Sequence, residues 1–339
     1  MSWVPRAFVL CLLLAVAGVA TGLAAGRPDR SEPRSPPRPL PSQPTLIGVG
    51  HPESPDALSW APDSGRLFAV AGVGGSEAGL FRIRAGRRPR RIGGFGRAAT
   101  ATVSPDARRV AAYVEGEFGA RIEFRSLGGR LVSRSAAFAR NFYEYPRLIW
   151  SPDSRRLVVP TADRTRDLRV LDAATGRLVG SFDGPAGYLD RQLWSPDGRR
   201  LALPTRRGAR LVDVATRRVQ VVRAASDNAS YAWSPDGTWL ATSDEDNAVV
   251  VVEIATGRRC RVTTGPAFGA SWSPDGRLAF FPAQDEGATT IVIGIARPCI
   301  GARPSAVAFG KVADDDGVGD ILTWSPDGRR LALSLDAQV

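Results

Sequence analysis

Short apolar runs separated by turn residues make up most of the chain after about residue 46. Two of these runs, Leu168–Asp172 and Val249–Glu253, each lead into an Ala-Thr-Gly-Arg sequence. An apolar run of this length that ends in a glycine-bearing turn is typical of a strand entering a hairpin. No segment between the turns has the longer apolar periodicity that predicts a helix. The pattern therefore predicts an all-β protein built from short antiparallel strands.

One motif recurs seven times and organises these strands. A tryptophan, or valine in one copy, is followed by Ser-Pro-Asp, with alanine replacing serine in the first copy, and an apolar pair comes a few residues later. Successive copies begin about 40 to 50 residues apart, which leaves room for four short strands per repeat. The copies begin at Trp60, Val103, Trp150, Trp194, Trp233, Trp272 and Trp324.

The chemistry of the motif is that of a tight turn between two strands. Proline presets the backbone angle of the second turn position, and the Asp carboxylate can accept local N–H bonds. A residue with left-handed backbone then completes a three-residue hairpin loop, which favours glycine. The next residue is Ser64, Ala107 or Ser154 in the first three copies and Gly198, Gly237, Gly276 or Gly328 in the last four. We predict a structural turn role for Asp63, Asp106, Asp153, Asp197, Asp236, Asp275 and Asp327.

Four antiparallel strands repeated seven times indicate a seven-bladed β-propeller of four-stranded antiparallel blades. The repeats resemble the Ser-Pro-Asp-Gly propeller repeats of TolB-like proteins, which are relatives of the Trp-Asp-repeat (WD40) propellers. The resemblance covers about residues 46–339. It implies a scaffold that binds a protein or a component of the cell envelope without catalysis, and we expect a monomer.

The chain before the first repeat divides into two segments. Residues 1–26 combine Arg6 with a long apolar stretch and then small residues, which predicts a signal peptide or an uncleaved N-terminal anchor through residues 7–25. Residues 27–45 are rich in proline and arginine and predict an extended linker. The propeller then occupies residues 46–339, and we expect an exported location in the periplasm, outside the cell or on the outer face of the cell membrane. We expect Thr45–Val49 to join the last blade and close the ring.

Charge and composition narrow the function classes. The net charge is +11, but the arginines are scattered, often in pairs after turns, and Lys311 is the only lysine. A nucleic-acid-binding surface would concentrate its positive charge, so we expect no nucleic-acid partner. The single histidine, His51, disfavours a catalytic triad and a histidine-based metal site. We therefore predict no catalytic residues, no metal site and no cofactor.

Two alternatives to a non-catalytic scaffold stay open. One is an enzyme of lyase or lactonase type acting in the propeller channel. The other is the ectodomain of a membrane-anchored sensor or accessory protein.

The two cysteines of the repeat region also leave a question open. Cys260 and Cys299 each follow their motif tryptophan by the same number of residues, which places them at equivalent positions of adjacent blades. Equivalent outer-strand positions would lie roughly 17 Å apart, beyond the reach of a disulfide. An exported location argues for a disulfide instead.

A candidate binding face lies where the chain enters the first strand of a blade. Aromatic and polar residues cluster before several motif tryptophans, and such loops commonly form binding faces at the mouth of a ring. The alternative is that the tyrosines pack between blades. The candidate partner-binding residues are Tyr143, Tyr145, Arg147, Tyr188, Asp190, Arg191, Asn228 and Tyr231.

Overall fold

The structure is a computed structural model of the chain. The residues it describes are 9–15, 45–49, 57–71, 79–84, 87–94, 98–117, 119–139, 147–161, 167–184, 193–205, 208–223, 231–283, 290–296, 298–299, 305–311 and 316–337. These residues form strands and turns without a helix, which confirms the predicted all-β class. No helix in these ranges could therefore span a lipid bilayer.

The strands are short, as the turn spacing predicted. The first thirteen are β1 (Val9–Ala15), β2 (Thr45–Val49), β3 (Ala57–Trp60), β4 (Leu67–Ala71), β5 (Gly79–Arg84), β6 (Arg87–Gly94), β7 (Ala98–Val103), β8 (Arg109–Gly116), β9 (Gly119–Ser126), β10 (Leu131–Arg134), β11 (Ile149–Trp150), β12 (Arg156–Pro160) and β13 (Asp167–Asp172). The others are β14 (Leu178–Asp183), β15 (Arg200–Thr205), β16 (Gly208–Asp213), β17 (Val219–Arg223), β18 (Ala232–Trp233), β19 (Trp239–Ser243), β20 (Ala248–Glu253), β21 (Arg259–Trp272), β22 (Leu278–Pro282), β23 (Thr290–Ala296), β24 (Ser305–Lys311), β25 (Asp316–Trp324) and β26 (Arg330–Ala337).

All these strands pair antiparallel with their neighbours, and most sheets have four strands. The sheet orders are β3-β4-β5-β6, β10-β9-β8-β7, β11-β12-β13-β14, β15-β16-β17, β18-β19-β20-β21-β22-β23-β24 and β2-β1-β26-β25. The seven-stranded sheet contains two motif repeats, because β21 pairs with β20 on one side and with β22 on the other. Trp194 makes an isolated bridge to Leu201 and so supplies the first-strand position beside β15.

We call the strands that belong to each motif a unit and number the units 1 to 7 along the chain. In every unit the motif turn joins the first strand to the second, as predicted. Units 1 to 3 are β3–β6, β7–β10 and β11–β14, and unit 4 is Trp194 with β15–β17. Units 5 and 6 share β21, and unit 7 contains β25, β26, β1 and β2.

The motif tryptophans connect each unit to the unit before it. The indole Nε1 donates a hydrogen bond to the carbonyl of the residue that precedes the motif in the neighbouring unit. These bonds are Trp150 to Thr102 (3.3 Å), Trp194 to Ile149 (3.3 Å), Trp233 to Leu193 (3.3 Å), Trp272 to Ala232 (3.0 Å) and Trp324 to Ser271 (3.0 Å). Trp60 of unit 1 donates to Thr323 of unit 7 at 3.2 Å, so the first and last motifs are neighbours.

Unit 2 lacks this tryptophan because Val103 stands at the head of its motif. Here the connection runs in the opposite direction, since the Ser59 hydroxyl of unit 1 donates to the Val103 carbonyl at 3.3 Å. The side chain of Val103 is itself buried in an apolar cluster with Phe68 and Leu80 of unit 1. The contact between units 1 and 2 therefore keeps one hydrogen bond despite the loss of the indole.

The motif turns form a second set of contacts between units. Ser64 and Ser154 have left-handed backbones, with φ of 53° and 59°, at the position where the later copies have glycine. The Ser154 hydroxyl accepts the backbone N–H of Asp106, and the Ser64 hydroxyl accepts that of Asp327. These bonds between units help offset the conformational cost of a non-glycine residue with positive φ.

The core lies between the faces of adjacent sheets. Alternate residues of each strand point to opposite faces, so each sheet contributes apolar side chains to two layers. One layer packs Phe68 and Val70 of unit 1 against Val110 and Ala112 of unit 2, all fully or almost fully buried. A sheet of this size cannot bury both faces by itself, so stability depends on contact with its neighbours.

The first two and the last two described strands lie in the sheet of unit 7. Thr45–Val49 joins that sheet as expected, but it pairs with β1 rather than directly with β26. Strand β1 belongs to the segment predicted as a signal peptide or anchor, and it pairs with β26 through Leu14↔Leu331 and Ala15↔Arg330. Cleavage after residue 26 would remove β1 from this sheet.

A disulfide joins Cys260 and Cys299, whose Cα atoms are 5.6 Å apart. The geometric expectation of a large separation is wrong because only Cys260 lies in an outer strand, β21. Cys299 occupies a turn between β23 and β24 and has a left-handed backbone, with φ of 63°. The turn brings this cysteine to the shared strand, and the bridge links units 5 and 6.

We expect Trp60→Phe to destabilise the protein, because it removes the indole donor and leaves the Thr323 carbonyl without that bond. The loss should be about 1–3 kcal/mol in the free energy of unfolding, measured by chemical denaturation. Trp239→Phe is the matched control, because Trp239 is half-buried and does not stand at the head of a motif. Equal losses in the two variants would contradict a stabilising role for the bond between units 1 and 7.

We expect Cys260→Ser, or reduction of the disulfide, to lower the free energy of unfolding by about 2–4 kcal/mol, because the bridge closes a loop of 39 residues. Thermal unfolding with and without reductant measures the change. Reductant should have no effect on the Cys260→Ser variant. A reductant effect of the same size in that variant would show that the disulfide is not the cause.

Candidate functional site

A cavity of about 410 Å³ lies between the first strands of five units. Strands β3, β7, β11, β21 and β25 contribute to its wall, and most of the wall is apolar or carries hydroxyl groups. The lining residues are Leu58, Ser59, Trp60, Thr100, Ala101, Thr102, Val103, Pro105, Arg147, Leu148, Ile149, Trp150, Ser271, Trp272, Leu322, Thr323, Trp324 and Pro326. The cavity is therefore lined by several of the motif tryptophans that connect neighbouring units.

Arg147 is the only charged side chain among the described residues that line this cavity. It is half-buried and lies two residues before β11, at the end of the cavity remote from Pro105 and Pro326 of the motif turns. A guanidinium group presents several N–H donors in a planar array that matches a carboxylate or phosphate. The arrangement suits an anionic group that enters the cavity beside a mostly apolar wall.

The structure describes two of the eight residues predicted for the binding face. Arg147 lines the cavity, where a binding partner could contact it. The other described residue is Tyr231. The remaining six, Tyr143, Tyr145, Tyr188, Asp190, Arg191 and Asn228, lie outside the described residues.

Tyr231 is a correction to the predicted face, because it lies in the core and is only 2% exposed. Its neighbour Ala232 pairs with Ala241, and this register places Tyr231 beside Thr242 in an apolar layer between units 4 and 5. Burial raises the pKa of Tyr231 to about 12, and the nearby Thr242 hydroxyl offsets only part of that effect. For this residue, the alternative that the tyrosines pack between sheets is correct.

The motif aspartates lie in the turns and accept hydrogen bonds within their own motif. In unit 3 the Ser151 hydroxyl donates to the Asp153 carboxylate at 2.6 Å, and the Arg155 N–H donates to the same carboxylate at 3.0 Å. The Ser151 oxygen also accepts the N–H of Arg156, at 2.9 Å. Units 2, 4, 5 and 7 repeat all three bonds, so serine and aspartate together satisfy the backbone of the turn.

The hydrogen bonds of the motif also shift the acidity of Asp197 and Asp236. Burial alone would raise the pKa of Asp197, but donation from the Ser195 hydroxyl and the Arg199 N–H lowers it below its usual value. The same balance lowers the pKa of Asp236, where Ser234 and Thr238 are the donors. These carboxylates are therefore held in the ionised form by the turn itself.

The described residues contain no cluster of three or more histidine, cysteine or acidic side chains that could hold a metal ion. Asp244 and Asp246, which form an acidic turn, instead pair with Arg261 at 3.4 Å and 2.9 Å. Asp244 also accepts the backbone N–H of Asp246 and Ala248. This turn is an ion-paired surface loop.

Sequence reasoning missed a second surface, on the outer strands of units 2, 3 and 4. Each of these fourth strands exposes two large apolar side chains. The residues are Leu131, Val132, Leu178, Val179, Val219 and Val221. The signal was present in the sequence as apolar pairs after the hairpin turns, but their exposure depends on the outer position of the strands in the sheet.

Comparisons with known proteins agree with this architecture. The family model described as "WD domain, G-beta repeat" (WD40) matches residues 220–252, which run from β17 to β20. Hydrazine synthase of Kuenenia stuttgartiensis has a similar structure, with a TM-score of 0.57 and 16% sequence identity, over 84% of this chain and 96% of that chain. No curated protein sequence matches the chain.

The chain therefore has a WD40-like β-propeller fold. The WD40 match begins in the outer strand of unit 4 and continues through the first three strands of unit 5. The repeat of the family thus spans two adjacent sheets, which agrees with the role of the motif in joining neighbouring units.

We expect the free energy of unfolding to fall as the pH decreases through the folded-state pKa of Asp197. A carboxylate whose pKa is lowered by folding contributes stability above its usual value of 3.8, and this contribution is lost as the folded form becomes protonated. Asp197→Asn should therefore destabilise the protein at pH 7 and have a much smaller effect at pH 2. Urea denaturation at several pH values measures the difference, and a pH-independent cost would contradict it.

Proposed function

We propose that the protein is an exported, non-catalytic scaffold, a seven-bladed β-propeller that binds a protein or another component of the cell envelope. The mouth of the central cavity, at Arg147, is the proposed binding face. The seven motif copies and the bond between Trp60 and Thr323 support a ring of seven blades. WD40 domains generally mediate protein interactions, which supports a protein as the partner.

The observation that carries the proposal is the position of Arg147. It places one cationic group at the end of a cavity whose other described lining residues are uncharged. An acidic side chain of a partner can pair with this guanidinium while adjacent apolar groups of the partner cover the cavity mouth. Charged pairs at the centre of a partly dehydrated contact contribute more to specificity than pairs at an exposed rim.

Two further observations support export. The apolar segment after Arg6 has the composition of a secretion signal. The disulfide between Cys260 and Cys299 is typical of proteins that reside in an oxidising compartment. In this proposal the mature protein works at or outside the cell membrane, and no catalytic step is required.

The binding proposal is tested with charge-reversal variants at opposite ends of unit 3. Arg147→Glu reverses the charge at the cavity, whereas Arg155→Glu is the matched control in the exposed motif turn. Proteins from the envelope fraction of the producing cell are captured with the tagged wild-type chain, and each captured protein is purified and its affinity measured directly. We expect Arg147→Glu to weaken the specific partner at least about tenfold, or about 1.4 kcal/mol, and Arg155→Glu to change its affinity less than twofold.

Equal affinity of wild type and Arg147→Glu for every captured protein would overturn the proposed face. Export is measured separately by cell fractionation and N-terminal sequencing of the protein from its own compartment. Recovery of the full-length chain solely from the cytoplasm would contradict export without bearing on the cavity.

A further inference from the structure

The outer edges of units 3 and 4 differ in how their backbone groups are satisfied. In unit 3, arginines of the next unit cover the edge of β14. Arg217 donates to the Ser181 carbonyl at 2.6 Å, and Arg210 donates to the Asp183 carbonyl at 2.5 Å. The Arg217 guanidinium also lies 4.1 Å from the centre of the Phe182 ring. Charged side chains at an edge are a common protection against the addition of another strand.

The edge of β17 in unit 4 is covered at one end only. In the hairpin, the Asp213 N–H donates a hydrogen bond to the Arg218 carbonyl, so the backbone groups of Arg218 point toward β16. Because this direction alternates along an antiparallel strand, Gln220 and Val222 face β16. The backbone groups of Val219, Val221 and Arg223 therefore point away from the sheet.

The observed contacts of Arg223 agree with this assignment. Its carbonyl accepts a hydrogen bond of 2.8 Å from Arg259 of unit 5. No described residue pairs with the outward backbone groups of Val219 and Val221. Their side chains are 53% and 62% exposed. The edge of β17 thus offers unpaired backbone groups beside an apolar surface.

A groove of about 530 Å³ runs along the same edge, between β17 and the hairpin turn of unit 5. Gln220 spans part of it by donating to the Ile254 carbonyl at 2.9 Å. Arg223 and Arg259 line the groove, and no acidic residue is among its described lining residues. The groove therefore has a positive charge on the side of β17 that faces unit 5.

These features specify the chemistry of a strand that could add to β17. Side chains of an extended segment alternate between two faces. On one face they would contact Val219 and Val221, which favours apolar residues. On the other face, which carries Gln220 and Val222, they would enter the groove beside Arg259, which favours glutamate or aspartate. The net charge of +11 for the chain also favours an acidic segment over a basic one.

We propose that β17 and the adjacent groove bind an extended segment of a partner protein, in which apolar and acidic residues alternate, by addition of that segment as an antiparallel or parallel edge strand. This site is separate from the cavity at Arg147, and either site can fail its test without the other. Strand addition obtains affinity from main-chain hydrogen bonds and specificity from alternate side chains.

The test uses the full chain and a fluorescein-labelled heptapeptide of alternating glutamate and valine. We expect saturable binding by fluorescence anisotropy, with a Kd below about 100 µM, and slower hydrogen exchange at the amides of Val219 and Val221. A lysine–valine peptide should bind at least tenfold more weakly. A glutamate–valine peptide with N-methyl groups on every amide should also lose binding, because neither of its edges can then donate hydrogen bonds to β17.

Two protein variants, each with a control variant, separate backbone pairing from charge. Val221→Pro removes an outward N–H that β16 does not use, so it should reduce binding at least tenfold without a large change in melting temperature. Val221→Thr keeps that N–H and should stay within about threefold of wild type. Arg259→Gln should weaken binding about threefold to tenfold, while Arg177→Gln, in the exposed hairpin turn of unit 3, should have no effect.

Several results would overturn the proposal. These are absence of acidic-peptide binding at 1 mM, equal binding of the acidic and basic peptides, or undiminished binding of the N-methylated peptide. A dimer in sedimentation that Val221→Pro dissociates would identify a second copy as the occupant instead. Binding to anionic phospholipid vesicles that the acidic peptide does not displace would identify a membrane surface.

Discussion

The hydrogen bond from a motif indole to the carbonyl before the neighbouring motif is the contact on which the arrangement of the units depends. It joins the first strands of neighbouring units, which lie far apart in the sequence. It also fixes the depth at which each tryptophan side chain is inserted between two sheets. The carbonyls involved lie among buried or half-buried groups, where an unmade bond is costly. Unit 2 shows how strong this constraint is, because Ser59 provides a hydrogen bond where Val103 cannot. Apolar packing between sheets then follows from the spacing that these bonds set.

The motif combines this contact between units with a self-contained turn. Serine and aspartate satisfy the turn backbone, and the residue after aspartate takes the left-handed conformation. Glycine takes it at low cost, whereas Ser64 and Ser154 gain a hydrogen bond from the motif turn of the neighbouring unit. The loss of glycine in the early copies is thus accompanied by a new contact in two of three cases. Ala107 has no hydroxyl and instead packs in the apolar layer between units 1 and 2.

The sequence was sufficient to predict the all-β class and the seven motif turns, because proline, aspartate and glycine act through local backbone geometry. It also predicted that Thr45–Val49 joins the last sheet. It did not predict the disulfide, since the position of Cys299 depends on a turn and not on strand spacing. Tyr231 was misassigned because the burial of a residue beside a strand depends on register with its partner strand. The exposed edge of β17 required knowledge of which backbone groups point outward, and no residue pattern encodes that directly.

Strand β21 has a mechanical consequence. It is one uninterrupted stretch of backbone that serves as the outer strand of unit 5 and the first strand of unit 6. The disulfide from Cys260 to Cys299 fastens the turn after β23 to the same strand. Units 5 and 6 are therefore joined by a second covalent link in addition to the backbone. These two sheets should open as a single cooperative block, and the rest of the molecule should separate from them before they separate from each other.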